Sequence, residues 1–349
     1  PDNLPEQRLP RNAPALFNLG AHEFTRLFHD GRIEIDPSRP SGLRTPLGEE
    51  MLAGFATLLS AQTMFPVLSP DEMAGHYSEN EIAAAARRGL ITGPGGAWDL
   101  LSARVAAIPA YAKRFRAVYP EIAAGRPIAF TDISNAIAAF MEAEWRSDTS
   151  AFDAHLRGER PLLGPAAAGL ALFYGPAGCA ACHAGPFLTD HAFHAMGVPQ
   201  IGPGKAARFE RHQRDTGRHR VTGTPADRYR FRTPSLRNVM ETGPWGHDGA
   251  YTDMMAFLNA HARPAEAAAR YDPGQALLPP LAVAQDFLAH SDAAERAAIS
   301  AAVSAPNRPL EDAEIAALIA FLESLTDPAA ITGRLGIPPS LPSGLPVPR

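Results

Sequence analysis

Cys179-Ala180-Ala181-Cys182-His183 is the stretch on which the reading of this 349-residue chain turns. Two thiols three positions apart, followed directly by an imidazole, suit haem attachment: each sulfur adds across one vinyl group and the histidine turns onto the iron. The chain has only these 2 cysteines, so it offers neither a disulfide framework nor a four-cysteine zinc cluster. A thioredoxin-like redox pair wants a strand and an apolar flank before it, whereas this motif follows an Ala-rich helical run, Pro165 to Tyr174, and a Gly-Pro break. Zinc stays open as an alternative through His191 and His194, which lie close enough to supply a second ligand pair. The reading adopted is a covalent haem c held by Cys179 and Cys182, with His183 as proximal ligand. Such haem is normally attached outside the cytoplasm, which gives a periplasmic expectation.

Working outward, the length exceeds the span of a single core and implies two packed domains. No run approaches the roughly 18 uninterrupted apolar residues of a bilayer span, so no membrane segment is expected. A net charge of -5 and a pI near 6.2 argue against nucleic acid, whose binding rests on an excess of Lys and Arg. The partner is expected to be a small oxidant or a protein. The chain opens at Pro1 without Met or a signal sequence and reads as processed, trimmed or incompletely represented.

Helical periodicity recurs in Ala-rich stretches while alternating β-branched runs are scarce, which predicts a mainly α fold with long loops and little β-structure. Between Thr131 and Trp145, Ile133, Ile137, Phe140 and Met141 fall on one face, with Thr131 placed to cap. Ile315, Leu318, Ile319, Leu322 and Leu325 repeat that spacing after Asp312, with Pro328 following the stop. Shorter helices are predicted over Glu49 to Ser60, Glu81 to Gly89, Ala97 to Ile108, Tyr111 to Tyr119 and Leu281 to His290. Met196 to Pro234 lacks periodicity and reads as a long ordered loop. The polar, Pro-containing segment Arg157 to Pro165 suggests the boundary between a domain over 1-160 and one over 161-327, with a Pro-rich tail over 328-349.

Downstream of the cysteines, Phe231-Arg232-Thr233-Pro234-Ser235-Leu236-Arg237-Asn238-Val239 runs into Thr242-Gly243-Pro244-Trp245-Gly246-His247-Asp248-Gly249. This resembles the F-x-T-P-S-L-R-N-V and T-x-P-x-x-H-D-G signature of the second haem domain of the bacterial di-haem cytochrome c peroxidase and MauG family. The family's axial ligand stands fourteen residues after the His of H-D-G, as Met in the peroxidases and Tyr in MauG. Here that register falls on His261, preceded by the helical face Met254, Phe257 and Leu258, which implies bis-His coordination by His183 and His261. The alternative is that His261 is a surface residue and that Met254 or Met255 binds the iron. Imidazole in place of thioether lowers the haem potential.

The resemblance reaches the start of the chain through Arg11-Asn12-Ala13-Pro14-Ala15-Leu16-Phe17-Asn18, which matches R-N-x-P-x-L-x-N, and Phe28-His29-Asp30-Gly31-Arg32, which stands where the family has F-W-D-G-R. Gln62 to Met73 matches Q-x-x-x-P-x-x-x-P-x-E-M. It implies two cytochrome c-like domains, the first a peroxidatic-haem domain over 1-160 whose own Cys-x-x-Cys-His lies upstream of Pro1; a mono-haem relative is the rival. A second haem c is thus expected in the complete protein. The match assigns Glu72 as the acid/base on peroxide, Gln62 as its orienting partner and Pro66 as the residue that keeps the distal side open. Without that register, Ser69-Pro70-Asp71-Glu72 is an ordinary acidic helix start. His29 replaces the inter-haem tryptophan, leaving His29 as a bridge and Trp245, otherwise a core residue, as the candidate for electron transfer. A calcium site carries over with the Asn12 side chain and the Thr242 and Pro244 carbonyls. The arginines of Lys205 to Arg237 are expected to pair with haem propionates.

What the resemblance implies for function is a peroxide-dependent oxidoreductase like MauG, forming high-valent haem iron and oxidising a protein substrate. A cytochrome c peroxidase reducing hydrogen peroxide with electrons from a small donor cytochrome is the alternative, and a non-catalytic electron-transfer cytochrome the third reading.

Overall fold

A computed structural model describes residues 8–76, 78–205, 212–282 and 284–347. Contacts divide the chain into two compact units, one of residues 1–18, 28–32 and 145–331, the other of 19–27, 33–144 and 332–349. The main division thus falls at Glu144/Trp145 and not within 157–165. The reason is the Ala151–Leu156 helix, whose Phe152 packs edge-on against Phe321 at 5.4 Å between centroids. Part of the Pro-rich tail is ordered too: Pro328–Thr332 is a short helix, and the Arg334 amide donates to the buried Glu144 carboxylate at 3.0 Å.

The unit built on 145–331 is organised by two helices, Gly164–Tyr174 and Asp312–Glu323. Gly169 sits at their crossing, where a Cβ would lie 1.9 Å from the Ala317 carbonyl oxygen. Only a residue without a side chain lets the backbones meet this closely. Around that contact Phe173, Leu188, Leu318 and Phe321 are buried, with Phe173 and Phe321 centroids 4.9 Å apart. Ile315, Leu318, Leu322 and Leu325 form the buried stripe the sequence spacing predicts. Fully covering one such side chain contributes about 1.5–3 kcal/mol. The segment 196–234 is mostly irregular but holds the His219–Thr222 helix and β5 (Phe231–Arg232), which pairs antiparallel with β4 (Phe193–His194). Residues 206–211 of it lie outside the described residues.

The other unit carries a small antiparallel sheet, β1 (Arg26–Leu27), β2 (Ile33–Ile35) and β3 (Leu43–Arg44), in the order β1-β2-β3. Helices follow at Leu58–Thr63, Glu81–Arg87, Ala97–Ala106, Pro109–Val118 and Phe130–Glu144. The helix expected over Glu49 to Ser60 begins only at Leu58, because a capping box between Thr57 and Ser60 fixes its start there. The Phe130–Glu144 helix buries Phe130, Ile133, Ser134 and Ala138, while Ile137 and Phe140 are 40% and 43% exposed. Ser134 and Ala138 on the buried face let it lie close to the Leu58–Thr63 helix, so of the expected stripe Ile133 is buried while Ile137 and Phe140 face out. Its first turn is held by Asp132, which accepts from the Ala129 amide and pairs with Arg126 at 2.9 Å, not by Thr131. The helix expected over Leu281 to His290 is confined to Leu288–Ser291. Among the described residues no helix is long and apolar enough to cross a membrane.

Candidate functional site

The Cys-x-x-Cys-His motif forms a tight 3-10 turn, Cys179–Ala181, entered through Gly178 at φ 67. A Cβ at Gly178 would lie 1.8 Å from Arg308 Nη1, and the left-handed φ independently favours glycine there. The turn closes on itself through the His183 amide, which donates to the Cys179 carbonyl at 2.9 Å. Both cysteines are free thiols whose ionisation burial opposes. His183 Nδ1 donates to the Leu188 carbonyl at 3.0 Å. That bond fixes the tautomer and leaves Nε2 as the atom available to a metal. Burial keeps the ring neutral, which is the state that binds iron.

His261 lies near the end of the Met254–Ala262 helix, whose start is capped by Asp253 accepting from the Ala256 amide at 2.7 Å. It repeats the same device: Nδ1 donates to the Phe257 carbonyl at 3.2 Å, again leaving Nε2. Its pKa is held down to about 4, first by burial and then by the nearby His183. Met254 is buried in the apolar core with Phe173 and Phe321, and Met255 is 39% exposed. The zinc alternative finds a different set from the one its sequence suggests. Cys182, Asp190 and His194 place their ligand atoms within 4.8 Å of one another, with His194 Nε2 2.7 Å from Asp190. His191 is not in that group.

A buried charge network lies in the same unit. Arg11 makes a two-pronged contact with Asp215 at 2.6 and 2.8 Å, and its Nη1 forms an ion pair with Asp30 at 2.7 Å. Burial opposes the Arg11 cation, but the two carboxylates outweigh it and hold it charged. Arg11 also sits 5.5 Å over the Phe231 ring, whose other neighbour, His247, stacks on it at 3.7 Å. His29 Nε2 donates to the Asn12 carbonyl at 3.0 Å, and burial, then Arg11, pull its pKa down to about 4. His29 is therefore a neutral ring of fixed tautomer. Sequence reasoning assigned no role to Arg11, although it stands first in the R-N-x-P motif.

Asn12 Nδ2 donates to the Pro244 carbonyl at 2.7 Å, so two groups expected around a cation are already adjacent, while the Thr242 hydroxyl is engaged with Val239. The donors are neutral oxygens, which suits a hard ion if the Asn12 amide turns its oxygen inward. Trp245 Nε1 donates to the Val239 carbonyl at 2.9 Å and its ring packs against the Phe173 and Phe321 core. Three of the described arginines expected at haem propionates have protein partners: Arg237 bonds Asp153 at 2.6 Å and the Pro186 carbonyl, Arg218 the Gly31 carbonyl, and Arg214 bonds Glu295 at 2.8 Å.

In the other unit, Gln62 is 7% exposed on the Leu58–Thr63 helix and its Oε1 has no hydrogen-bond partner. Pro66 opens a 3-10 turn, Pro66–Leu68, and Glu72 is exposed within the next turn, Pro70–Ala74. Trp98, which sequence reasoning passed over, is buried beside them: its Nε1 donates to the Met64 carbonyl at 3.1 Å.

A family model described as di-haem cytochrome c peroxidase matches residues 3–161. Over these residues the chain belongs to the di-haem cytochrome c peroxidase family. Methylamine utilization protein MauG of Methylorubrum extorquens is 31% identical over 217 residues, 61% of this chain and 51% of that protein. Cytochrome c peroxidase Ccp of Escherichia coli K12 is 31% identical over 283 residues, 71% of this chain and 53% of that one. The chain spans about half the length of such relatives. Among solved structures, a MauG-like protein associated with microbial copper homeostasis superposes with a TM-score of 0.57 at 27% identity, covering 93% of this chain and 77% of that one. The diheme peroxidase BthA of Burkholderia thailandensis E264 gives 0.55 at 23% identity over 98% of this chain and 77% of its own, a likeness of fold alone. The chain is thus mainly helical, and its relatives include both MauG and cytochrome c peroxidases.

Proposed function

We propose that the chain forms a peroxide-dependent di-haem oxidoreductase of the MauG kind, acting in the periplasm on a protein substrate. The observation that carries this reading is the pair of neutral imidazoles, His183 and His261, each tied by Nδ1 to a backbone carbonyl so that Nε2 is left for iron. Cys179 and Cys182 would hold haem c covalently, with the two histidines on its iron. When bound, haem supplies one-electron redox chemistry and the reductive cleavage of hydrogen peroxide.

The chain's own residues do the rest. Glu72 moves a proton from one peroxide oxygen to the other, Gln62 orients peroxide or a water through its unpartnered Oε1, and Pro66 keeps a side-chain donor away from that space. His29 bridges electrons as a neutral ring and Trp245 is the more oxidisable group. Asn12, Thr242 and Pro244 would hold a calcium ion. The non-methionine ligand at His261 favours oxidation of a protein over collection of electrons from a donor cytochrome. The second reading, a cytochrome c peroxidase, is favoured by the long match to the Escherichia coli peroxidase.

Two measurements on the intact di-haem protein test the proposal. Peroxide should change the haem spectrum, and Glu72→Gln should slow that change by about 10²- to 10⁴-fold with the resting spectrum kept. Steady-state turnover with reduced cytochrome c should be slow. Rapid turnover would transfer the protein to the peroxidase reading, and an unchanged spectrum would reject both.

A further inference from the structure

We propose that Phe257, Tyr251, Tyr271 and His290 form a route along which single electrons pass between the haem site at His261 and the face of the protein that carries His290. It rests on the assignment of His183 and His261 to haem. The rings follow one another without a break. Phe257 meets His261 edge-on at 4.4 Å between centroids, and Tyr251 meets Phe257 at 5.3 Å. Tyr271 meets Tyr251 edge-on at 5.4 Å, and His290 meets Tyr271 at 5.4 Å. Tyr251 and Tyr271 are 3% and 6% exposed, whereas His290 is half-buried in the short Leu288–Ser291 helix, next to the 49% exposed Leu288.

Aromatic neighbours at this spacing are ordinary core packing in many proteins, and these tyrosines do belong to a small core cluster with Ile201 and Ala250. Two features set the chain apart from packing alone. One end touches the ring proposed to bind iron and the other reaches a partly exposed ring, so the contacts join the cofactor site to the outside. The two central members are phenols, which give up an electron far more readily than phenylalanine or a neutral imidazole. The Tyr271 hydroxyl donates to the Ala250 carbonyl, which fixes the phenol in place. Tunnelling falls off exponentially with the gap between conjugated groups, so two oxidisable stations replace one long jump by shorter ones.

The electron count closes with the proposed activity. A one-electron donor outside His290 loses one electron, Tyr271 and Tyr251 each lose and regain one together with the phenolic proton, which the neighbouring Asp248 carboxylate takes up and returns, and the haem pair gains one. Two such passes, with two protons, reduce one hydrogen peroxide to two waters. No residue on the route is consumed.

The test leaves peroxide out. In the haem-loaded protein, whose native cysteines are taken up as thioethers, Leu288→Cys carries a maleimide-linked ruthenium tris-bipyridine. A flash with an electron-accepting quencher generates ruthenium(III), and oxidation of the ferrous haem is followed at its main absorption band. Tyr271→Phe and Tyr251→Phe should each slow that oxidation by at least about tenfold, and Tyr174→Phe, an exposed tyrosine off the route, should leave it unchanged. Each variant removes only a hydroxyl, and an unaltered resting haem spectrum reports an intact site. Should Tyr271→Phe lose its fold with the bond to Ala250, Tyr251→Phe decides alone. Rates within about twofold of the parent in the folded variants overturn the route. Because no peroxide is present, a protein inert to peroxide rejects the proposed function while the route stands or falls on its own rates.

Discussion

Replacing Arg11 by Ala removes the cation that bridges two buried carboxylates and leaves Asp30 with Arg32 at 3.4 Å. The side chain is 6% exposed and its partners Asp30 and Asp215 are 3% and 1% exposed, with contacts of 2.7 Å to the first and 2.6 Å to the second. Breaking a buried pair leaves an uncompensated charge and costs about 3–5 kcal/mol. Loss of the guanidinium over Phe231 adds about 0.5–2 kcal/mol. Against a total stability on the order of 5–15 kcal/mol this is a large fraction. The effect carries a pH signature. In the parent, Asp30 and Asp215 sit below the usual carboxylate range because Arg11, joined at Asp30 by Arg32, outweighs their burial. Their contribution is therefore present above about pH 4 and is lost as pH falls below it toward the folded values. In Arg11→Ala burial and mutual repulsion raise both, so the variant regains stability as pH falls from 7 toward about 4. Urea unfolding followed by far-ultraviolet circular dichroism at two pH values measures both quantities. A loss below about 1 kcal/mol at neutral pH, or one that grows on acidification, would refute the reasoning.

Asp248 should show the opposite sign: burial pushes its carboxyl up to about 7, so stability falls as pH rises from about 4 to about 7 and is level above. Asp248→Asn should abolish that slope and stabilise the protein at pH 8 by a few kcal/mol, at about 1.4 kcal/mol per unit; unfolding curves that keep the slope count against it. Gly169→Ala should push the two central helices apart, because the new Cβ meets the Ala317 carbonyl, and cost about 1–3 kcal/mol. A thermal melt with an unchanged midpoint would contradict that contact.

The candidate haem residues are named by the sequence on two grounds: chemistry fixes the spacing of Cys179, Cys182 and His183 within five positions, whereas His261 follows from the family register after His247. The helix Asp312–Glu323 was equally plain, since its apolar stripe is its buried face. The Phe130–Glu144 helix was less so, because its core side joins Phe130 and Ile133 to Ser134 and Ala138, small residues that carry little hydrophobic signal yet permit close approach. Nor could sequence show that Arg11 meets Asp215 across 204 positions or that Leu188 and Phe257 orient the two imidazoles. Those partners are backbone carbonyls or distant charges, and both are defined only once the chain has folded. The aromatic series from His261 to His290 draws on separate helices and loops for the same reason.

In the proposed site, Cys179, Cys182 and His183 would hold one haem, with His261 as its other ligand. Electron paramagnetic resonance and near-infrared magnetic circular dichroism of the ferric protein, compared with His261→Ala, test it most directly. The expected result is a low-spin signal with two imidazole ligands that gives way to a high-spin one in His261→Ala and returns on adding imidazole. A methionine-to-iron charge-transfer band, or a spectrum indifferent to the loss of His261, would contradict it.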